Sequence, residues 1–393
     1  MQVRSGEGME DRIAAETIRE IIRDRGRVTF AQYMDLALYH PGCGYYMRDR
    51  EKIGAGGDFY TSPDVSPLFG KVIGDQAREM WELSGRPEKW AMVEFGAGKG
   101  NLARDVLEHT ALVHPDYHQS MSYIIVEKSP YMKARQEETL AGINRPPGCG
   151  LHWLTGIGEL KSPVDGCFFS NELIDAFPVH RLVREGGEYR EIYVVSRNGG
   201  LEEETGSLSD RKLDWYINRF GVEAEDGREF EINLAVGEWL GEISGALGRG
   251  FVLSIDYGDV SRGLYSPARP KGTIRSYRNH RLMDSLYECP GSQDITASVN
   301  FSALLDWGVD FGLHPAGLTT QMYFLMNLGI FDYISPRDPA GSFDLSRVKE
   351  TMAVKKLVMP EGMGEIFKVA AQYKGFDEAP ALKGFAGKYR SRL

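Results

Sequence analysis

Apolar positions recur at helical spacing in the first 85 residues of the chain. Residues 10–25 carry isoleucine and alanine at intervals of three and four, which predicts a first helix. A second, short helix is predicted over residues 30–39, before a proline-glycine turn. A longer helix is predicted to begin at Pro67, with Ser66 as its N-cap.

The middle of the chain alternates short apolar runs with helical patterns. The runs lie at 91–95, 123–127, 151–154, 166–170 and 251–257. Continuous apolar runs of this length, separated by helices, are typical of strands that are buried on both faces of a parallel sheet. We therefore predict an α/β fold with a Rossmann-like, doubly wound and mostly parallel sheet.

An acidic segment, residues 184–250, separates the last two of these runs and is too long to be a plain crossover. Within it, residues 189–196 followed by Asn198-Gly199-Gly200 predict a β-hairpin. We read 184–250 as an inserted subdomain. The rest is predicted to divide into an N-terminal helical segment, 1–56, and a main domain, 57–393.

Composition and charge exclude several classes of protein. The formal net charge is −10, whereas proteins that bind nucleic acid usually carry a basic face, so nucleic acid is not the expected partner. The four cysteines lie far apart, which argues against a disulfide framework or a thiolate zinc site. His114 and His118 come closest to metal spacing, but Pro115 interrupts them, and no metal is expected.

Membrane and targeting signals are not found in the sequence. No apolar run approaches the ~20 residues that span a bilayer. Residues 1–12 are polar and mixed in charge, unlike a signal or transit peptide. A cytoplasmic protein is therefore expected.

A glycine-rich turn, Glu94-Phe95-Gly96-Ala97-Gly98-Lys99-Gly100, follows the first apolar run. Gly96 and Gly98 permit positive φ and a close approach of the backbone to a ligand, and Gly100 lets the next helix pack tightly. This spacing occurs in dinucleotide enzymes as well. Alternatively, residues 94–100 are an ordinary tight turn whose carboxylates face water.

Two carboxylates favour S-adenosylmethionine over a dinucleotide. Glu94 would repel a pyrophosphate but attract the ammonium of a methionine moiety, and Glu127 ends the second apolar run, where it can accept both ribose hydroxyls. The expected cofactor-binding residues in this region are Glu94, Gly96, Ala97, Gly98, Gly100, Leu102 and Glu127.

A second candidate site, Asn171-Glu172 with Asp175, begins where the apolar run 166–170 stops. Ligands of open α/β sheets bind outside the carboxyl ends of the strands, so these side chains are expected at the cofactor mouth. The carboxylates of Glu172 and Asp175 can clamp a guanidinium, with Asn171 beside them touching both cofactor and acceptor. Asn171 and Asp175 are equally suited to cap a helix.

Two further segments are candidates for the same site. Residues 54–63 form a glycine-led loop that could close as a lid, with Thr61 touching the cofactor, or could be an ordinary turn capped by Asp58. Asp256-Tyr257-Gly258 ends a strand and is a candidate border of the substrate mouth.

Several motifs spread over nearly the whole chain occur together in one known family. They are Tyr33-Met34, Leu38-Tyr39-His40-Pro41, Gly44-Tyr45-Tyr46, Gly57-Asp58-Phe59, Thr61-Ser62-Pro63, Glu94 to Gly100, Asn171-Glu172, Asp175-Ala176-Phe177-Pro178, Ile255-Asp256-Tyr257-Gly258, Gly272-Thr273, Pro290 to Thr296, Gln321 with Phe324-Leu325, and Met363-Gly364-Glu365. This set resembles the MidA family of S-adenosylmethionine-dependent methyltransferases, which includes mitochondrial complex I assembly factors. Ala97 and Lys99 depart from the Pro and Arg that the family often has.

The resemblance implies a class I methyltransferase core with inserted and C-terminal elements. Its mitochondrial members methylate arginine in a complex I subunit, so it implies a protein substrate, with a respiratory-complex subunit as one expected partner. We expect a protein arginine methyltransferase with Glu172, Asp175 and Asn171 as catalytic residues. The alternatives are an assembly factor that binds S-adenosylmethionine without turnover and a nicotinamide-dependent oxidoreductase.

Overall fold

The computed structural model of the protein describes residues 8–50, 52, 62–143, 150–334 and 345–387. These residues form two compact units. The parallel-sheet unit takes the described parts of Tyr60–Leu173, Trp239–Gly258 and Leu304–Leu393. The antiparallel unit takes the described parts of Met1–Phe59, Ile174–Glu238 and Asp259–Ala303.

The described residues form helices and strands with the following bounds. The helices are α1 (Met9–Arg25), α2 (Phe30–Tyr39), α3 (Ser62–Val65), α4 (Pro67–Leu83), α5 (Asn101–Val113), α6 (Pro115–Ser120), α7 (Pro130–Thr139), α8 (Arg211–Arg219), α9 (Ala235–Ala246), α10 (Ser261–Leu264), α11 (Phe301–Asp310), α12 (Gln321–Asn327) and α13 (Leu345–Val358). The strands are β1 (Arg27–Thr29), β2 (Trp90–Phe95), β3 (Met121–Val126), β4 (Leu151–Leu154), β5 (Val164–Asn171), β6 (His180–Glu185), β7 (Glu188–Arg197), β8 (Gly200–Gly206), β9 (Glu229–Ile232), β10 (Leu247–Asp259), β11 (Arg275–Arg278), β12 (Arg281–Leu282), β13 (Asp294–Thr296), β14 (Val299–Asn300), β15 (His314–Thr320) and β16 (Phe367–Lys374). Short 3-10 helices cover Tyr45–Met47, Ile157–Glu159, Ile174–Ala176, Ile330–Tyr333 and Lys383–Phe385. None of these described helices combines the length and apolar content that a bilayer crossing requires.

The parallel-sheet unit is built on strands in the order β4-β3-β2-β5-β10-β16-β15. The first five pair in parallel, and β16 runs antiparallel to both β10 and β15. The predicted mostly parallel sheet is confirmed. Its edge strand β15 escapes prediction because Pro315 and Gly317 break the apolar pattern of that run.

The apolar runs form strands because helices cover both faces of this sheet. All six residues of β2 are buried, and Met92 and Val93 are completely inaccessible. Helix α4 packs its own apolar side chains into the same core. Its start is the predicted one: Pro67 is the first helical residue, and the Ser66 hydroxyl accepts the Leu68 N–H at 3.2 Å.

The antiparallel unit contains the predicted hairpin. Strands β7 and β8 pair antiparallel, and Asn198 and Gly199 connect them with φ angles of 52° and 76°. Positive φ at both central residues is the geometry of a type I′ turn. Strand β7 also pairs with β1 and β6, and β9 joins at β6, while β12, β11 and β13 form a second, small sheet.

Strand β8 is acidic, and two of its three carboxylates are paired with arginine side chains. Glu204 accepts hydrogen bonds from Arg27 at 3.3 Å and Arg197 at 2.7 Å. Glu203 forms an ion pair with Arg181. Much of the negative charge of this strand is therefore compensated by arginines of the same unit.

The predicted domain boundaries at 1–56, 57–393 and 184–250 stay predictions. The described N-terminal residues up to 52 and residues 184–238 both belong to the antiparallel unit. Residues 239–250, at the end of the predicted insertion, belong to the parallel-sheet unit.

Candidate functional site

Three adjacent strands of the parallel-sheet unit end at the same level. Phe95 of β2 pairs with Val126 of β3 on one side and with Ser170 of β5 on the other. The residues that follow the three pairing positions are Gly96, Glu127 and Asn171. The chain reverses its winding direction between β2 and β5, and such a switch point leaves a crevice at the carboxyl ends of the strands.

The glycine turn has the backbone that the sequence predicts. Gly96, Gly98 and Gly100 have φ angles of 63°, 52° and 83°. A Cβ at position 96 would lie 2.9 Å from Leu173 Cδ1, and one at position 100 would lie 3.4 Å from Gln136 Cα. Glycine is therefore favoured by backbone conformation at all three positions, and at position 96 a side chain would also press on Leu173.

Ala97 and Leu102 flank this turn on the core side. Ala97 is buried within the turn, and its carbonyl accepts the Gly100 N–H at 2.8 Å. Leu102, in the first turn of α5, is also buried and belongs to the core of the parallel-sheet unit. The two side chains fix the turn against the sheet, and helix α5 begins directly after Gly100.

Glu94 is buried one residue before the end of β2. Only 3% of its surface is exposed, and its Oε2 accepts the hydroxyl proton of the fully buried Tyr123 at 2.6 Å. Burial raises the pKa of Glu94 to about 7, against the opposing effect of the Tyr123 hydrogen bond and with a further rise from the negative charge of Glu127. Glu94 therefore changes charge near neutral pH.

The free energy of unfolding should reflect this raised pKa of Glu94. The neutral carboxyl favours the folded state at pH values below 4.5, and this contribution is lost as the pH rises through about 7. Between pH 5 and 8 the loss should be about 2.5 kcal/mol. Chemical denaturation of the wild type and of Glu94→Gln at both pH values measures it, because the difference between the two proteins isolates this group. Equal pH dependence in both would contradict the assignment.

Glu127 is held at the end of β3 by two hydrogen bonds. Its Oε1 accepts the Ser129 N–H at 2.8 Å, and its Oε2 accepts from the side-chain amide of Gln136 at 2.9 Å. Ser129 is also the N-cap of α7, accepting the Met132 N–H. The carboxylate predicted to bind ribose hydroxyls thus has a fixed position beside the glycine turn.

Gln136 is the residue of this region that sequence reasoning misses. It is fully buried, and its Nε2 donates to both Gly98 O, at 2.9 Å, and Glu127 Oε2. Its Oε1 accepts the indole N–H of Trp153 at 3.1 Å. One amide therefore connects the glycine turn, the Glu127 carboxylate and strand β4. The sequence signal is an amide four residues after Met132, on the buried face of α7.

Asn171 and Glu172 lie together at the end of β5. The Asn171 side-chain amide donates to Glu172 Oε1 at 3.1 Å, and the Ser62 N–H donates to the same oxygen at 2.9 Å. Glu172 has a φ of 53°, a left-handed conformation that is costly for a non-glycine residue. Asn171 Oδ1 is buried and has no hydrogen-bond partner among the described residues. Strained backbone and an unsatisfied acceptor are both typical of ligand sites.

Asp256 supports this corner from the neighbouring strand β10. It is completely buried, and its carboxylate accepts the backbone N–H of Leu173 at 3.2 Å and of Tyr257 at 2.9 Å. The Glu172 N–H in turn donates to Ile255 O at 2.9 Å. The Asp256 carboxylate therefore holds the backbone at Leu173 and at Tyr257, beside the site.

Asp175 belongs to the antiparallel unit, in the 3-10 helix Ile174–Ala176. It is buried, and its backbone carbonyl accepts the Ala297 N–H at 2.9 Å. The Tyr46 hydroxyl of this unit donates to Asp294 at 2.9 Å. Burial, followed by the charges of Asp294, Tyr39 and Asp175, holds the pKa of Tyr46 well above its usual range. The clamp predicted for Asp175 stays a prediction from the sequence.

Two further predictions from the sequence concern the proposed lid and the pair His114 and His118. Thr61 and most of the proposed lid at 54–63 lie outside the described residues. His114 and His118 do not converge: the buried His118 ring contacts the Thr110 hydroxyl at 2.9 Å through Nδ1, whereas His114 contacts Asp75 at 2.8 Å through Nε2.

The residues at this edge fit S-adenosylmethionine. The glycine turn carries no side chains at 96, 98 and 100 that could cover its backbone, Glu127 presents an oriented carboxylate, and Asn171 offers a buried acceptor. All three lie at the carboxyl ends of neighbouring strands. This is the arrangement that a nucleoside with a charged tail requires of an open α/β sheet.

Comparison with known proteins agrees with this fit. Residues 72–319 match a family of S-adenosyl-L-methionine-dependent methyltransferases. The chain is 31% identical to a Burkholderia thailandensis protein whose crystal structure contains S-adenosyl-homocysteine; 97% of each chain is covered, with a TM-score of 0.86.

Curated relatives cover a similar span. The mitochondrial protein arginine methyltransferase NDUFAF7 of Danio rerio is 28% identical over 87% of this chain and 82% of its own length. The corresponding Caenorhabditis elegans homologue is 30% identical over 79% and 74%.

The relatives correct one expectation. The zebrafish, nematode and mouse proteins are all named as mitochondrial, which contradicts the cytoplasmic location expected from the sequence. That expectation rested on the absence of a targeting pattern in residues 1–12, and an absence of this kind does not specify a compartment.

The expected class I methyltransferase fold and S-adenosylmethionine cofactor are confirmed. The alternatives of a nicotinamide enzyme and of a binding protein without turnover are not supported. The chain belongs to this family, and it is an S-adenosyl-L-methionine-dependent methyltransferase.

Proposed function

We propose that this enzyme methylates arginine side chains of a protein, with Glu172 binding the guanidinium. The observation that carries the proposal is the position of Glu172, a carboxylate held by Ser62 and Asn171 in a left-handed conformation at the switch point. A guanidinium offers N–H donors and no acceptor, so a fixed carboxylate is its natural partner. The relatives named as protein arginine methyltransferases support the same acceptor.

The proposed cofactor-binding residues divide by the part of the ligand that they contact. The turn Gly96 to Gly100 approaches the nucleoside closely, and the oxygens of Glu127 accept the ribose hydroxyls. The ionised form of the Glu94 carboxyl attracts the ammonium of the methionine moiety. Ala97 and Leu102 pack beneath the turn, and Asn171 places its Oδ1 in the crevice. When bound, S-adenosylmethionine supplies a methyl group activated by the positive charge on sulfur.

The chain's own contribution to the transfer is mainly alignment. Glu172 Oε1 is fixed by two N–H donors, so the carboxylate can hold the guanidinium in one orientation. The negative charge also concentrates the positive charge of the guanidinium on the nitrogens that face it. The acceptor nitrogen would then be more electron-rich. As its new N–C bond forms, the S–C bond to the methyl group would break, S-adenosylhomocysteine would be left, and the nitrogen would release one proton to solvent. The guanidinium clamp that the sequence predicts for Asp175 stays a prediction.

Amino-acid analysis of labelled proteins tests the proposal. The purified enzyme is incubated with methyl-labelled S-adenosylmethionine and two protein fractions, a soluble extract and a respiratory-membrane extract, the second because the sequence resemblance implies a respiratory-complex subunit. After acid hydrolysis, label is expected in methylarginine. Label in lysine or glutamine derivatives, or only in small molecules, would contradict the arginine assignment. Heat-inactivated enzyme is the control.

A further inference from the structure

A cluster of ligand-type side chains lies on the helices of the parallel-sheet unit, apart from the methyl-transfer edge. Asp75 is on α4, His109 is on α5, and His114 follows the last residue of α5. His109 Nε2 lies 2.9 Å and His114 Nε2 2.8 Å from Asp75 Oδ1. The three ligand atoms all lie within 4.8 Å of one another, the one such group found among the described residues.

We propose that Asp75, His109 and His114 form a structural binding site for a divalent transition metal, best matched by Zn²⁺. Two imidazole nitrogens and one carboxylate oxygen are a common zinc ligand set, with water or another group as the fourth ligand. Asp75 and His109 come from the neighbouring helices α4 and α5, and His114 lies directly after α5, so the metal would cross-link α4 to the end of α5.

The spacing of the three ligand atoms is close to the spacing that a bound Zn²⁺ requires. The two distances of 2.8–2.9 Å from Asp75 Oδ1 are hydrogen-bond lengths. Tetrahedral zinc with bonds of about 2.0–2.1 Å separates its ligand atoms by about 3.3 Å. Each imidazole therefore has to retreat by only about half an ångström, a movement within the reach of side-chain torsions.

The surroundings supply both orientation and access. The Tyr333 hydroxyl donates to Asp75 Oδ2, so the second carboxylate oxygen is engaged while Oδ1 faces the histidines. Partners of this kind fix the direction of metal-binding carboxylates. His109 is 3% exposed, but His114 and Asp75 are 19% and 21% exposed. The cluster is therefore open to water on the side of His114, where a metal can enter and water can complete its coordination.

The position of the cluster indicates a structural role. His109 is eight residues after Asn101, the first residue of α5, or about 12 Å along the helix from the glycine turn. A metal there touches neither the cofactor edge nor Glu172. It would instead brace the helix whose first turn follows the glycine turn.

Metal titration of the full-length enzyme tests the site. After removal of metals with a chelator, the protein is titrated with ZnCl₂ by calorimetry and with CoCl₂ by visible absorption. One equivalent of Zn²⁺ should bind with a micromolar or lower Kd, and Co²⁺ should show the intense bands of tetrahedral coordination. His114→Gln and His109→Gln should each weaken binding by about 100-fold or more. His152→Gln, which removes an exposed histidine from β4, should bind like the wild type.

Two results would overturn the proposal. One is the absence of saturable binding by the folded wild type. The other is binding that His114→Gln leaves unchanged, since His114 is partly exposed and its replacement should not prevent folding. Either result would identify the cluster as a hydrogen-bonded Asp-His-His network only.

Discussion

Replacing Glu172 with glutamine should lower the rate of methyl transfer by about 100-fold or more and leave the affinity for S-adenosylhomocysteine nearly unchanged. Glutamine keeps the length of the side chain and can accept from Ser62 and Asn171, but it removes the charge that faces the guanidinium. Removing one partner of a desolvated charge pair costs ~3–5 kcal/mol, which corresponds to more than 100-fold in rate.

The experiment compares kcat, KM and cofactor affinity in three proteins. The wild type and Glu172→Gln are assayed with a methyl-accepting arginine protein, and the Kd for S-adenosylhomocysteine is measured by calorimetry. Glu242→Gln removes an exposed glutamate from α9 and serves as the matched control, which should behave like the wild type. Full activity of Glu172→Gln would exclude this carboxylate from acceptor binding.

Replacing Glu127 with alanine should have the opposite signature, a loss of cofactor affinity by about 10- to 100-fold. Hydrogen bonds to a charged group contribute about 1.5–3 kcal/mol, and each tenfold change in Kd corresponds to about 1.4 kcal/mol. Gln136→Ala should reproduce part of the loss, because the Gln136 amide holds both Glu127 and the Gly98 carbonyl.

A double-mutant cycle separates this positioning role from a general loss of stability. If Gln136 acts through Glu127, the double variant should bind S-adenosylhomocysteine no more weakly than Glu127→Ala by itself. Glu137→Ala, the exposed neighbour on α7, is the control and should keep wild-type affinity. Strictly additive losses, or an unchanged Kd in Gln136→Ala, would show that Gln136 does not position the carboxylate.

The sequence predicts the central strands and the glycine turn because their physical causes are local. A strand buried on both faces must be mostly apolar, as at 91–95 apart from Glu94, and a turn with positive φ favours glycine, as at 96, 98 and 100. The hairpin at Asn198-Gly199 is predicted for the same reason, since its two residues determine the turn type.

What escapes prediction depends on residues that meet only after folding. The sequence predicts Glu94 to bind the cofactor, but only the structure places its carboxyl beside Tyr123 in the core. Gln136 and Trp153 lie on different elements, so neither segment by itself predicts the hydrogen bond between them. His109 and Asp75 are 34 residues apart, and His114 follows a helix end, so no motif spacing marks their cluster.

The antiparallel unit is assembled from three separate stretches of chain, which has a consequence for biosynthesis. Apolar side chains of α1 and α2, such as Ile18 and Tyr33, share a core with Ile295 and Ala297. During vectorial synthesis the two helices leave the ribosome long before the residues that cover them. Their apolar faces stay incompletely covered until Ile295 and Ala297 emerge, and incompletely covered intermediates are prone to aggregate. Contacts of such long sequence separation also form slowly. The emergence of the third stretch, which ends at Ala303, or help from a chaperone, is thus expected to set the rate at which this unit folds.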